Sequence, residues 1–172
     1  MQETNLDILT NYVLQTYHEP VKKELLQVTF LLEKMLKVHG DLHQELFEIS
    51  EIFLSFKNLF LQHMKKEENV LFPYMKALQF LLDTWKPLPE MHFQSVKKPI
   101  EQMEKEHLEI ENFLQKLDEL THHFSSPEGA CKTYQKCFSL LEKIFNDTQK
   151  HAEYENNFLH TIALKIEEKI KK

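Results

Sequence analysis

The chain has 172 residues and a formal net charge of −6, and 42% of its residues are hydrophobic. This composition is sufficient for one folded domain over residues 1–172 and argues against disorder. With 2 glycines and 6 prolines, the chain has too few turn-forming residues for a β-sandwich or β-barrel. The negative charge argues against a nucleic-acid partner. We see no signal peptide, and no apolar run approaches the roughly 18 residues of a membrane span.

The two cysteines do not form a recognisable redox or zinc motif. Cys131 and Cys137 are six residues apart, which matches neither CxxC spacing nor a zinc pattern. On one helix they would point to different faces, so a disulfide between them is not expected. Cys137 falls on an apolar stripe and is predicted to pack in the core, and Cys131 is predicted to be structural as well. This cysteine usage favours a reducing, cytoplasmic location.

Glycines and prolines divide the chain into long segments with helical periodicity. The two glycines lie at Gly40 and Gly129, and four prolines cluster between residues 73 and 99. Four long helices are predicted over residues 20–39, 42–70, 97–123 and 130–168, with shorter ones over 6–17 and 74–85. Apolar residues recur every three or four positions in each long segment, so we expect an all-α, antiparallel up-down four-helix bundle. The connection over 71–98 is either a lid over one end or a plain surface loop.

Four histidines interrupt the apolar stripes at positions that should face the core. His18 and His63 are equidistant from the first hairpin turn, and His107 and His151 are equidistant from the second. Residues equidistant from a turn lie at the same height in a helical hairpin. All four imidazoles are therefore expected near the end of the bundle that is opposite these turns.

A repeated motif adds two carboxylates to the same layer. His63-x-x-x-Glu67 and His151-x-x-x-Glu155 have the i,i+4 spacing that puts both side chains on one face of a helix. The predicted site therefore consists of His18, His63, Glu67, His107, His151 and Glu155.

This set of residue types favours a pair of metal ions. Buried carboxylates without partners cost several kcal/mol each. Two divalent cations bridged by Glu67 and Glu155, each held by two imidazoles, would use all six groups. Imidazole and carboxylate ligands with open positions suit non-haem iron, and manganese fits as well. A single zinc ion is disfavoured because six ligands exceed its usual four. The alternative is a bundle in which the six side chains are only packed.

The remaining polar candidates are assigned to other places. His39 is expected to be partly exposed at the end of its helix, and His92 lies in the proline-rich connection near the site. Glu68 and Glu106 adjoin predicted ligands, where Glu106 either orients them or, like most such glutamates, faces solvent. The histidines expected at the surface or at helix ends are His43, His122, His123 and His160.

Five segments carry a pattern found in known proteins. They are Tyr17-His18, residues 63–73 (HMKKEENVLFP), Met103 to His107, Pro127 to Cys131, and residues 151–157 (HAEYENN). With these segments the chain resembles the hemerythrin-like HHE superfamily, and most closely the repair-of-iron-centres di-iron proteins. The resemblance implies a hemerythrin-like bundle and places the family's metal ligands at the same six residues.

The chain also differs from relatives of this kind. Oxygen-carrying hemerythrins have a second histidine where this chain has Met103, and they end in HxxxxD where it has His151-x-x-x-Glu155. These differences favour repair chemistry over oxygen storage. Repair proteins usually carry an N-terminal cysteine-pair domain, which we do not expect here. They also have Leu-Phe-Pro where this chain has Phe158-Leu159-His160.

The resemblance implies a non-haem di-iron centre with an oxo or hydroxo bridge, and manganese or zinc stay open as alternatives. It implies a role in nitrosative or oxidative stress, in which iron delivery or nitric oxide handling supports the repair of iron–sulfur proteins. A second hypothesis is a module that binds or senses oxygen or nitric oxide reversibly. A third is a structural bundle without metal. We expect no catalytic residue and no membrane partner, and either a monomer or a dimer.

Overall fold

The computed structural model describes residues 5–85 and 95–171, and this part of the chain contains no β-strand. Three single π-helical turns, Leu14–His18, Glu67–Leu71 and Glu155–Leu159, each join two α-helices without a break. The α-helices are α1 (Leu6–Val13), α2 (Glu19–His39), α3 (Glu45–Lys66), α4 (Phe72–Thr84), α5 (Lys97–Leu120), α6 (Lys132–Tyr154) and α7 (His160–Lys171).

Helices α2, α3, α5 and α6 form the predicted four-helix bundle. Helix α2 packs against α3 and α6, and α5 packs against the same two helices. The three phenylalanines Phe53, Phe56 and Phe60 are at most 1% exposed in its core, and burying one such ring contributes about 1.5–3 kcal/mol. Cys137 is fully buried here, as predicted. None of the helices described is long and apolar enough to cross a membrane.

A second apolar layer covers one end of this bundle. Helix α4 packs against α1 and α7, and Phe72 and Met75 of α4 are buried in that layer. The first half of the 71–98 connection is therefore the predicted short helix, and it belongs to the core rather than to a surface loop. Residues 86–94, with His92, lie outside the described part of the chain, so the lid stays a prediction.

The π-helical turns change which residues are buried after the site. A constant α-helical period puts Val70 and Phe158 in the core, but their side chains are 40% and 38% exposed. The buried residues are their neighbours Leu71 and Leu159, at 2% and 0%. A π-helical turn follows i→i+5 rather than i→i+4 hydrogen bonding and so accommodates an extra residue. In both helices it moves the buried position one residue along the chain.

The two hairpin turns differ from the simplest expectation. Gly40 lies directly after α2, as its place after residue 39 predicts, and its backbone is right-handed (φ −56°) rather than left-handed. Glycine is needed there because an added Cβ would collide with the carbonyl oxygen of Leu36. Helix α5 ends at Leu120 rather than at residue 123, since His122 and His123 adopt positive φ angles of 48° and 58°.

A buried carboxylate connects α7 to other segments of the covering layer through hydrogen bonds. Glu167 on α7 accepts hydrogen bonds from the Tyr74 hydroxyl at 3.1 Å, the Val96 backbone at 2.8 Å and the Ser95 hydroxyl at 2.7 Å. Burial raises the pKa of this carboxyl, but the hydrogen bonds outweigh burial and leave the pKa below its usual value. The contribution of Glu167 to stability is therefore present at neutral pH and is lost as pH falls through the folded-state pKa.

We predict that Glu167→Ala lowers the free energy of unfolding by about 1–3 kcal/mol at pH 7, because buried donors lose their acceptor. The loss should shrink below about pH 4.3, where the unfolded carboxylate takes up its proton. Urea unfolding in chelator, with the exposed Glu109→Ala as control, measures both effects. Equal unfolding free energies for the variant and the parent at pH 7 would contradict the prediction.

Candidate metal centre

The π-helical turns carry three of the six predicted site residues. His18 ends the first turn, and Glu67 and Glu155 begin the other two. Single π-helical turns inside α-helices occur frequently at functional sites. Here the helix continues on both sides of each turn, so each side chain is held on hydrogen-bonded backbone rather than on a loop.

The six predicted residues converge in two groups that share both glutamates. His18 and His151 form one group with Glu67 and Glu155, and their Nε2 atoms are 3.2 Å apart. His63 and His107 form the other group with the same two glutamates, and their ring centroids are 4.6 Å apart. Within each group the candidate ligand atoms lie within 4.8 Å of one another. The histidines of each group come from different hairpins.

Each glutamate spans the two groups. Glu67 places Oε2 3.4 Å from Nε2 of His18 and Oε1 3.3 Å from Nε2 of His63. Glu155 places Oε2 3.1 Å from Nε2 of both His107 and His151. The carboxylates therefore lie between the two histidine pairs.

The site has the unsatisfied atoms that a metal centre requires. Among the described residues, all four carboxylate oxygens of Glu67 and Glu155 are buried without a hydrogen-bond partner, as is Nε2 of His63 and of His107. Leaving such groups unpaired costs several kcal/mol. Ligand atoms of one cation lie roughly 3.0–3.4 Å apart when bonds of about 2.1 Å meet at octahedral or tetrahedral angles. The separations found here agree with that range, so the residues fit a pair of divalent cations.

The electrostatics of the six residues favour cations as well. Burial lowers the pKa of His63, but Glu67 and Glu106 more than offset it and raise the pKa to about 10. Burial and Glu155 raise the pKa of Glu67, yet the nearby histidines bring it below its usual value. The carboxylates thus stay negative and favour protonation of His18 and His63, whose pKa values are raised, and a cation entering the site would displace those protons.

Side chains outside the six orient three of the imidazoles. Nδ1 of His18 lies 2.8 Å from Oε1 of Glu68, and Nδ1 of His63 lies 3.3 Å from Oε2 of Glu106. Glu106 is 3% exposed, so it does not face solvent, and Lys66 and Gln102 also donate to it. Occupying Nδ1 in this way fixes the ring and turns Nε2 toward the centre.

The third orienting residue, Asn156, was missed by the sequence analysis. Its Oδ1 accepts a hydrogen bond from Nδ1 of His107 at 2.9 Å. The sequence contains a signal for this role, because Asn156 directly follows Glu155 in the second repeat, just as Glu68 directly follows Glu67 in the first. In both repeats the residue after the shared glutamate supports a histidine on a neighbouring helix.

His160 corrects a prediction. It was assigned to the surface, yet it is 1% exposed, and its ring is nearly parallel to that of His107, at 10° with centroids 6.3 Å apart. The cause is the π-helical turn before it, which rotates the following residues relative to an α-helical period. Burial lowers the pKa of His160. By contrast, His39 is half-buried, and His122 and His123 are exposed, as predicted.

A cleft of about 240 Å³ between α5 and α6 reaches His107 and His151. Phe60, Ile110 and Leu114 supply apolar wall, and Thr148 lines the inner part. The Thr148 hydroxyl is buried and has no hydrogen-bond partner among the described residues. The cleft offers a small molecule a route to the candidate centre.

The fold and the site define a class, namely helical bundles that hold cations between imidazoles and shared carboxylates. The hemerythrin HHE cation binding domain matches residues 10–163, and the chain belongs to this family.

Three relatives are named iron–sulfur cluster repair proteins. ScdA of Staphylococcus epidermidis is 28% identical over 155 residues, and YtfE of Yersinia pseudotuberculosis is 30% identical over 173 residues. DnrN of Neisseria gonorrhoeae is 28% identical over 154 residues. The matches cover 90%, 96% and 90% of this chain, and 65%, 69% and 88% of the relatives. The chain thus spans 65% of the length of the staphylococcal protein.

We predict that divalent cations stabilise the fold through the two shared carboxylates. A cation at 100 times its dissociation constant adds about 2.7 kcal/mol, which should raise the thermal midpoint of the parent protein over that in chelator. Glu67→Gln and Glu155→Gln should remove most of this increase, and Glu109→Gln on the exposed face of α5 should retain it. A parent midpoint that does not change between chelator and ferrous iron would contradict the prediction.

Proposed function

We propose that the chain is a non-haem di-iron protein of the nitrosative and oxidative stress response. In this proposal it supports the repair of iron–sulfur clusters in the cytoplasm, by delivering iron to damaged proteins or by handling nitric oxide. The observation that carries the proposal is the convergence of two histidine pairs on two shared glutamates, whose buried oxygens have no hydrogen-bond partner among the described residues. Similarity to proteins named for cluster repair supports the same conclusion.

In this assignment His18 and His151 would hold one ion, and His63 and His107 would hold the other. Glu67 and Glu155 belong to both groups of residues and would supply carboxylate oxygens to the ions. Mixed nitrogen and oxygen donors of intermediate softness suit iron, whereas manganese and zinc are the competing occupants. Bound iron supplies a Lewis acid that can change its oxidation state and accept small ligands.

The protein's own residues then control what reaches the ions. A ligand set of two imidazoles and two carboxylates would leave coordination positions of a non-haem iron open for other ligands. The α5–α6 cleft is large enough for a small diatomic molecule, and its lining combines the apolar side chains of Phe60, Ile110 and Leu114 with polar ones that include Glu111 and Glu153. At its inner end the Thr148 hydroxyl can donate a hydrogen bond to a bound ligand. Glu68, Glu106 and Asn156 hold the imidazoles in place during exchange.

The second candidate function is reversible binding of oxygen or nitric oxide for storage or sensing. The α5–α6 cleft supports it, because it reaches His107 and His151 and would give such a ligand access to the candidate centre. The two functions differ in the fate of the iron, which leaves the protein during delivery and stays bound during sensing.

We predict that Glu68→Ala and Glu106→Ala lower ferrous affinity by about 10–100-fold, because orienting partners of ligating histidines have effects of that size. All six proposed ligands remain in these variants. Competition with a chromophoric chelator under anaerobic conditions measures the affinity, and Glu109→Ala serves as the control. Parent-like affinity in both variants would show that these carboxylates do not support the site.

The repair function is tested with an iron–sulfur dehydratase inactivated by nitric oxide. We predict that the ferrous-loaded parent restores its activity and loses iron in proportion. Glu67→Gln/Glu155→Gln should restore no more activity than the same concentration of free ferrous iron. Restoration that is equal for the parent and the double variant would contradict delivery, and a reversible nitric oxide adduct without iron loss would favour sensing.

A further inference from the structure

His160 is a buried imidazole that the proposed centre does not use. It is 1% exposed, and neither ring nitrogen has a hydrogen-bond partner among the described residues. Buried polar side chains almost always find such a partner. The two ring nitrogens of His160 are therefore available to bind a group that is not part of the described chain.

The position of His160 connects the centre with the surface. On its inner side the ring stacks on His107, and its backbone N–H donates to the carbonyl of Glu155. On its outer side Nδ1 lies 3.7 Å from Oε1 of Glu104, a carboxylate on α5 whose side chain is 45% exposed. Donor atoms thus follow one another from solvent to the centre, from Glu104 to His160 and then to His107.

We infer that Glu104 and His160 form a transit site through which a ferrous ion passes between solvent and the pair of ions. This inference rests on the proposed function and names the route by which iron is loaded and delivered. The exposed carboxylate attracts the hydrated cation, and the imidazole replaces one of its waters as it moves inward. Release follows the same order in reverse, and the ion keeps its charge throughout.

The observed distances suit a transient site rather than a resident one. The 3.7 Å between Nδ1 and the carboxylate oxygen is close to the separation of two ligands of one cation. The nitrogens of His160 belong to neither of the two groups of four residues whose ligand atoms lie within 4.8 Å of one another. A small movement of Glu104 would complete the site, and the resident ions would keep their own ligands.

The test is the rate at which the ferrous-loaded protein releases iron to excess 2,2′-bipyridine under anaerobic conditions. His160→Phe keeps an aromatic ring in the same space and should slow release by about tenfold, which corresponds to about 1.4 kcal/mol of barrier. Glu104→Gln should slow it in the same direction. Glu101→Gln, which removes a charge three residues earlier on α5, should release iron at the parent rate.

The outcomes separate this inference from the proposed function. Slower release by His160→Phe and Glu104→Gln, with two irons per chain and an unchanged optical spectrum, supports the transit site. Parent-like rates in both variants overturn it and point to exchange through the α5–α6 cleft, while the proposed function stands. An altered spectrum or lower iron content in His160→Phe also overturns it, because His160 would then be a resident ligand. A parent protein that binds no iron refutes the proposed function itself.

Discussion

The burial of two carboxylates in the middle of an apolar bundle is the constraint on which the rest of the structure depends. Glu67 and Glu155 are fully buried, and their oxygens have no hydrogen-bond partner among the described residues. Two negative charges in such a place are strongly unfavourable unless positive charge accompanies them. Protonated imidazoles provide part of it in the metal-free protein, and divalent cations would provide it without protons. The orienting residues then fix the imidazoles, and the covering helices bury one end of this layer.

The π-helical turns place the shared glutamates in the site while the helices continue without a break. Each shared glutamate begins such a turn, and the helix then continues as α4 or α7 into the layer that covers the site. A loop at the same point would leave backbone groups to be paired at the end of a helix. The extra residue instead redirects the following side chains, so Leu71 and Leu159 point inward. The same rotation buries His160 and places it beside His107.

Most of the bundle and the set of six residues were predictable from the sequence, because both follow from helical periodicity and hairpin symmetry. The equal heights of the histidines, and the shared helix face of His and Glu in each HxxxE motif, follow from the constant rise and rotation per residue of an α-helix. The wrong prediction for His160 and the exposure of Val70 and Phe158 have a common cause, since a π-helical turn changes that rotation and leaves no clear composition signal. Asn156 was missed because its role depends on a neighbouring helix, which periodicity along one helix does not describe.

Anomalous diffraction from crystals of the iron-loaded protein, recorded on both sides of the iron absorption edge, tests the central claim most directly. The account predicts two iron peaks in each chain, one beside His18 and His151 and one beside His63 and His107, with Glu67 and Glu155 contacting both. A single peak, or peaks away from these six residues, would contradict it, because the shared carboxylates would then have no pair of ions to bridge.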